Sequence, residues 1–190
     1  LRGADLTGAN LIGVDLSGMD LTGTILRGAD LTGANLTGVD LSVMDLTYAN
    51  LSGQDLSDHD LTNVILTGAA LSNSVLPDNG LSGKNFERTI FNEVDLSGKD
   101  LSKSNFESAS FKNTNLKNAN ISETTFLGVD LTMIKSLSGA DLSSSSFAHS
   151  NLSGVNLVGV ILVFTNFWHA DLSGQDFTVT DVITNGLSFI

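Results

Sequence analysis

Three histidines, His59, His149 and His169, and a set of aspartates twenty residues apart, Asp20, Asp40, Asp60 and Asp100, are the side chains of this 190-residue chain best suited to chemistry. Imidazole can ligate a metal or move a proton. His149 and His169 are also twenty apart, but two imidazoles alone make a weak metal site, and the chain has no cysteine to complete it. The lack of cysteine also removes thiolate nucleophiles and disulfide staples, and leaves the redox compartment undetermined. Pairs of aspartates could imitate the two carboxylates of a glycosidase, but that chemistry needs a cleft. No GxxxxGK[ST], HExxH or GxSxG motif occurs, and Leu-Ser-Gly recurs without any distinguished serine. The sequence thus offers no catalytic residue, no cofactor site and no metal site. The segment is not expected to be an enzyme, and an enzymatic domain outside it is left open.

What positions these residues is a period of five. From Leu1 to Leu131 a large apolar residue falls at every fifth position, as in LTGAN LIGVD LSGMD LTGTI LRGAD LTGAN LTGVD over residues 6–40. A small residue usually stands two places before it, and Asp or Asn one place before. Ser, Thr or Arg and then Gly usually follow. At Leu131 the register slips by one: LTMIKS leads to Leu137, and the five-step then continues to Leu187. A helix has period 3.6, a strand 2 and a heptad coiled coil 3.5, so none of them fits. Glycine at this density also argues against a long helix. A parallel solenoid, in which the chain returns on itself and each coil adds one short rung per face, does fit.

The pattern in Ala4-Asp5-Leu6-Thr7-Gly8 and Ala34-Asn35-Leu36-Thr37-Gly38 resembles the pentapeptide-repeat proteins, and the resemblance covers essentially the whole chain. It implies an all-β fold, a right-handed parallel quadrilateral β-helix with four pentapeptides per coil, the large and small residues pointing inward. The expected architecture is a single domain over residues 1–190, with about nine to ten coils and a one-residue bulge near 134–136. Residues twenty apart then stack. Phe86, Phe106 and Phe126 form one column, continued across the bulge by Phe147, Phe167 and Leu187, with Phe91 and Phe111 beside it. Pro77 fits a turn that needs no amide. Met19, Met44, Gln54, His59, Lys84, Lys99 and Gln175 fall in the inward small column. Lys84 and Lys99 are expected to turn their ammonium ends outward. Leu1 is already in register, with no methionine or signal-like segment before it and no cap at either end, so the chain is expected to be part of a longer protein.

Nine Lys and Arg against 21 Asp and Glu give a formal charge of −12. Residues 1–80 carry ten acidic and two basic side chains, residues 81–135 seven of each, and residues 136–190 four acidic and none basic. This balance argues against direct nucleic-acid binding, which needs cations for the phosphates, and permits a basic partner. No run of eighteen apolar residues occurs, so no membrane span is expected. Outward-facing apolar residues cluster late in the chain: Val158, Ile161, Val163, Phe164, Trp168, Val179, Ile183 and Phe189. Trp and Phe are common interface anchors, so these are the candidate docking patch for another protein or a neighbouring domain. Val43 and Tyr48 form a smaller candidate.

The first functional expectation is therefore a non-catalytic scaffold and protein-interaction module, within a larger bacterial protein such as a secreted effector. The resemblance implies a second, since some family members are regarded as DNA mimics that engage DNA gyrase or another type II topoisomerase. Asp20, Asp40, Asp60 and Asp100, in one column, are the feature in its favour. Against it, the chain lacks the projecting loops of several such members, and Thr180 to Ile190 continue the repeat pattern. The third expectation is a scaffold attached to an enzymatic domain elsewhere. A cytoplasmic location is favoured, with secretion into a host cell as the alternative. The sequence leaves the oligomeric state undetermined.

Overall fold

The structure, a computed structural model, describes residues 1–175. Each pentad makes a tight turn in which the carbonyl of the large residue accepts the amide three places on, as when Ala9 N donates to Leu6 O at 3.0 Å. The third residue of the pentad has positive φ, +65° at Gly8. That is the demand of the second central position of a type II turn, and glycine meets it without steric cost. The Asp or Asn preceding the large residue folds over the same turn: Thr7 N donates to Asp5 Oδ1 at 3.0 Å, and the bond recurs at Ser17 on Asp15 and Thr37 on Asn35. The recurrent Asp-Leu-Thr-Gly is thus a turn code.

The turns stack with a twenty-residue period. Asp5 pairs in parallel with Ile25, Asn10 with Asp30 and Asp15 with Asn35. Leu6 N donates to Ile25 O at 2.9 Å and Ile25 N to Ala4 O at 3.0 Å. These pairs overturn the expected fold class. The described residues contain neither a helix nor an extended strand, and every parallel pair is an isolated one-residue bridge. An all-β, right-handed parallel quadrilateral β-helix is therefore not what the chain forms. Turn geometry takes up most of each pentad and leaves one residue between turns free to pair, which is too little to make a strand or an organised sheet. The molecule is a stack of turns.

The slip after Leu131 is absorbed at one corner. Asp95 pairs with Asn115 twenty residues on, but Asn115 pairs with Ser136 and Asp130 with Asn151, both twenty-one on; Asp141 and Ile161 restore the spacing. Lys135 N donates to Thr114 O at 2.9 Å while Ser136 O accepts from Leu116 N at 2.9 Å. Two residues therefore face Asn115, as in a bulge, and Leu137 is still buried.

The large residues fill the middle. Leu31, Leu46, Leu51, Phe86, Phe106 and Phe147 are wholly buried, whereas Leu6 and Leu11 in the first coil are only partly so. Phe86, Phe106, Phe126, Phe147 and Phe167 stack with ring centroids 4.7 to 5.6 Å apart. Phe91 and Phe111 stack beside them at 5.4 Å and meet Phe106 edge-on. Leu187, expected to extend the column, lies outside the described residues.

The inward small position decides how closely neighbouring coils pair. After Ala, Ser or Thr the next amide donates to the preceding coil: Asp30 N to Ala9 O after Ala29, Ser110 N to Thr89 O after Ala109, Asn166 N to Ser145 O after Thr165. After Met44, Gln54, His59, Lys84 and Lys99 that bond is missing, and it is missing also after Val39, Val94, Val129 and Val155, although Val64 and Val160 keep theirs. A bulkier side chain holds the corner apart. Where it carries a donor, it takes the freed carbonyl itself. Gln54 Nε2 donates to Ala34 O at 3.1 Å and Leu31 O at 2.6 Å. Lys84 Nζ donates to Val64 O at 3.0 Å and Thr62 O at 3.1 Å. The outward ammonium expected for Lys84 is thus corrected: the residue is 9% exposed, and its charge turns to carbonyls that the widened corner leaves unpaired. Burial still pushes its pKa down, against the pull of Asp60. Lys99 does reach outward, to Asp78 Oδ1 at 2.7 Å. Short hydroxyls bond to the preceding coil as well, as Thr89 does to Leu66 O at 2.8 Å and Thr114 to Phe91 O at 2.7 Å.

Candidate interaction surface

Of the apolar residues expected to face outward, Phe164 is 66% exposed, Trp168 45% and Val158 43%, while Ile161 and Val163 are half-buried. Val179, Ile183 and Phe189 lie outside the described residues. All five described members lie between residues 158 and 168, about half of one coil, so they spread over neighbouring faces rather than forming a patch on one face. Phe164 has φ +57°, a turn position that glycine usually fills and that a bulky side chain occupies at a steric cost.

Trp168 belongs to a cluster of its own. Its ring lies 4.9 Å from His149, edge-on, and 4.6 Å from His169, tilted. The two imidazoles stack at 5.3 Å. Backbone pairing sets this contact: His149 N donates to Trp168 O at 2.9 Å, which places Trp168 one coil beyond Ala148. Ala148 stands at a pentad position that is usually open to solvent, yet it is only 8% exposed. The twenty-residue rule brings the two histidines together from sequence. It also holds the signal for Trp168 beside His149, nineteen residues apart, but only once the coil pairing is known.

Asp20, Asp40 and Asp60 are exposed and in register, but no bridge joins them. Each accepts an amide of its own turn, from Thr22 at 2.9 Å, Ser42 at 2.9 Å and Thr62 at 2.8 Å. Side-chain and backbone bonds from those residues hold all three carboxyls below the usual aspartate range; at Asp40 the neighbouring Asp60 opposes the shift. Gly80 interrupts the column, and Asp100 then bridges to Asn120, whose Nδ2 donates to Asp100 Oδ1 at 3.0 Å. An Asp–Asn pair shares a hydrogen bond, which an Asp–Asp pair cannot do when both are charged.

A third grouping escapes a reading by fives. Tyr48 is half exposed and lies over Gly68, where an added Cβ would come within 2.2 Å of its ring. A hydrogen bond with Tyr48 raises the pKa of Arg88, with Glu87 adding to the effect at 3.2 Å. The three residues follow one another at twenty-residue steps. Among the described residues no group of three or more His, Cys, Asp or Glu could hold a metal ion, and no helix is long and apolar enough to cross a membrane. Shallow grooves open where the coils are held apart, one lined by Val39, Asp40, Gln54, Asp58 and His59.

The family model for pentapeptide repeats matches residues 1–38, 45–77, 81–107, 100–132 and 136–174. Among solved structures, HetL, a pentapeptide repeat protein involved in heterocyst differentiation regulation from the cyanobacterium Nostoc, is 24% identical over 98% of this chain and 87% of that one, with a TM-score of 0.45. QnrB1, a plasmid-mediated fluoroquinolone resistance protein, is 17% identical over 100% of this chain and 84% of that one, at 0.44. A pentapeptide repeat protein of the Arabidopsis thaliana thylakoid lumen is 23% identical over 70% of each chain, at 0.25. No curated protein matches the chain.

Proposed function

The chain belongs to the pentapeptide-repeat family, and from that premise we propose that it is a non-catalytic scaffold whose late coils dock another protein. One observation carries the reading. Among the described residues nearly every Leu and Phe at the centre of the repeat is buried, yet Phe164 and Trp168 stand in solvent within one coil. Rings of this size lose water-exposed area on association and anchor interfaces disproportionately. The test is solution mass by light scattering, together with co-purification from the native source. The wild-type chain self-associates or retains a partner. A variant combining Trp168→Ala and Phe164→Ala loses that association while its thermal unfolding is unchanged. Equal association by the two chains would rule out this surface.

The exposed column of Asp20, Asp40 and Asp60 favours a second reading, a rod that occupies the DNA-binding saddle of gyrase or another type II topoisomerase. Its assay is supercoiling with and without the purified chain. Inhibition relieved by replacing the three aspartates with asparagine supports it, and no effect at micromolar protein removes it.

A further inference from the structure

We propose that the Trp168 cluster is a seat for a cationic side chain, arginine or lysine, carried on a segment of the docked protein. The inference rests on the docking reading above and gives the partner its chemistry. Trp168 offers an exposed indole, and His149 and His169 flank it at 4.9 and 4.6 Å. The face of an indole attracts a cation through its quadrupole, and the attraction is strongest with the flat, weakly hydrated guanidinium.

The surroundings point the same way. Asp130, Asn151 and Asp171 are joined by bridges in the next row of the stack, and both aspartates are exposed. Asp171 follows Trp168 by three residues, and Asp130 lies two coils back along the same row. The row on the other side, Thr125, Ser146 and Asn166, is uncharged. Residues 136–175 contain Asp141 and Asp171 and no Lys or Arg, so no Lys or Arg of these coils competes for the ring or pairs with Asp171. Asp171 Oδ1 accepts bonds from Ser173 N at 2.9 Å and Ser173 Oγ at 2.5 Å, but its charge meets no cation in these coils, and a purely apolar partner would cover that charge without pairing it. A cationic one meets ring and carboxylate together, as electrostatic complementarity across an interface requires.

Trp168 is the sole tryptophan of the chain, so its emission reports this seat directly. Three short Gly/Ala peptides serve as probes: one with two arginines, one with citrulline at those positions and one with leucine. The arginine peptide changes the emission saturably and binds about fivefold or more tightly than the citrulline peptide. Asp130→Asn combined with Asp171→Asn brings the two peptides to within about twofold of each other, leaving the unfolding curve in place. If the leucine peptide binds as tightly as the arginine one, the cationic assignment is wrong and the docking surface stands. If none of the three changes the emission at millimolar concentration, the seat does not exist, and the docking reading is then decided by the association test on the doubly substituted chain.

Discussion

Along one face of the stack, Asn85, Asn105, Thr125, Ser146 and Asn166 are bridged without interruption, whereas the same face nearer the start has only Asp5 with Ile25 and Asp45 with Ile65, and a gap between. The two regions share a repeat and differ in what fills it. Residues 1–80 use leucine at the centre, glycine at most left-handed turn positions and aspartate at the corners. Beyond residue 85 the centre holds seven stacked or edge-on phenylalanines. There, Arg88, Glu93, Lys103, Asn113, Asn118 and Glu123 take the left-handed position. The inward small residues also differ. Inward Ser and Thr are commoner in the second region, where Ser104, Thr114 and Thr165 donate to Leu81 O, Phe91 O and Leu142 O of the preceding coil and Thr124 to Ile121 O of its own turn. Bulky inward residues hold corners open in both regions, Met44, Gln54 and His59 in the first and Lys84 and Lys99 in the second. Close pairing between coils depends on small inward side chains in both regions, while the later one holds more non-glycine residues at positive φ.

The sharpest way to break this contrast is at its centre. Phe106→Ala removes a ring in contact with four others and should cost about 3–5 kcal/mol in urea unfolding. Leu11→Ala, at a partly buried site in the first coil, should cost about 1 kcal/mol by the same measurement. Equal losses would remove the distinction between the halves. At the turns, Gly33→Ala places a Cβ in open space at φ +64° and isolates the backbone penalty, about 1–2 kcal/mol. Glu93→Gly, at φ +62°, should stabilise by up to about 1 kcal/mol, read from the shift in thermal midpoint.

Smaller in free energy is Lys84→Ala. It deletes two bonds from Nζ but removes the side chain that keeps Asn85 N from Val64 O, so the net change should lie within about 1 kcal/mol of zero. The decisive measurement is hydrogen exchange at Asn85, which should slow; unchanged exchange would refute the steric origin of the open corners. The smallest effect is with pH. Asp20, Asp40 and Asp60 have folded pKa values below the ordinary 3.8 because their turns favour the charged form. Their contribution is complete above that value and is lost as pH falls through the lowered folded values. Being exposed, each contributes little. Protection factors, corrected for intrinsic exchange, should fall first in residues 1–80 between pH 7 and pH 3, because later in that row Asn120, which does not titrate, stands where an aspartate would and bonds to Asp100.

Much of this could be read in advance, for identifiable reasons. The twenty-residue coil is what the resemblance to pentapeptide repeats implies, and Phe86, Phe106 and Phe126, one coil apart, stack accordingly. The extra residue before Leu137 locates the bulge because the spacing resumes unchanged beyond it. The absence of strands could not be read from the period, which fixes the length of a coil but not the share of it spent in turns. The inward turn of Lys84 is not legible in the sequence, because the carbonyls of Thr62 and Val64 that offset the cost of burying its ammonium come from the preceding coil. The contact of Trp168 with His149 depends on the offset between adjacent coils, which only the coordinates fix.

The bonds from inward side chains to backbone carbonyls have a common direction. Thr24 reaches back to Leu1, Gln54 to Leu31, Thr89 to Leu66, Thr165 to Leu142 and Gln175 to Leu152, always from later in the chain to earlier. For these side-chain bonds, though not for the backbone bonds, which run both ways between coils, shortening the molecule is not symmetrical. Trimming from the far end takes donors away from carbonyls that still accept the amide of their own turn. Trimming from the beginning strands hydroxyls and amides with nothing to donate to, so a chain synthesised from its first residue finds each acceptor already in place when the matching donor emerges.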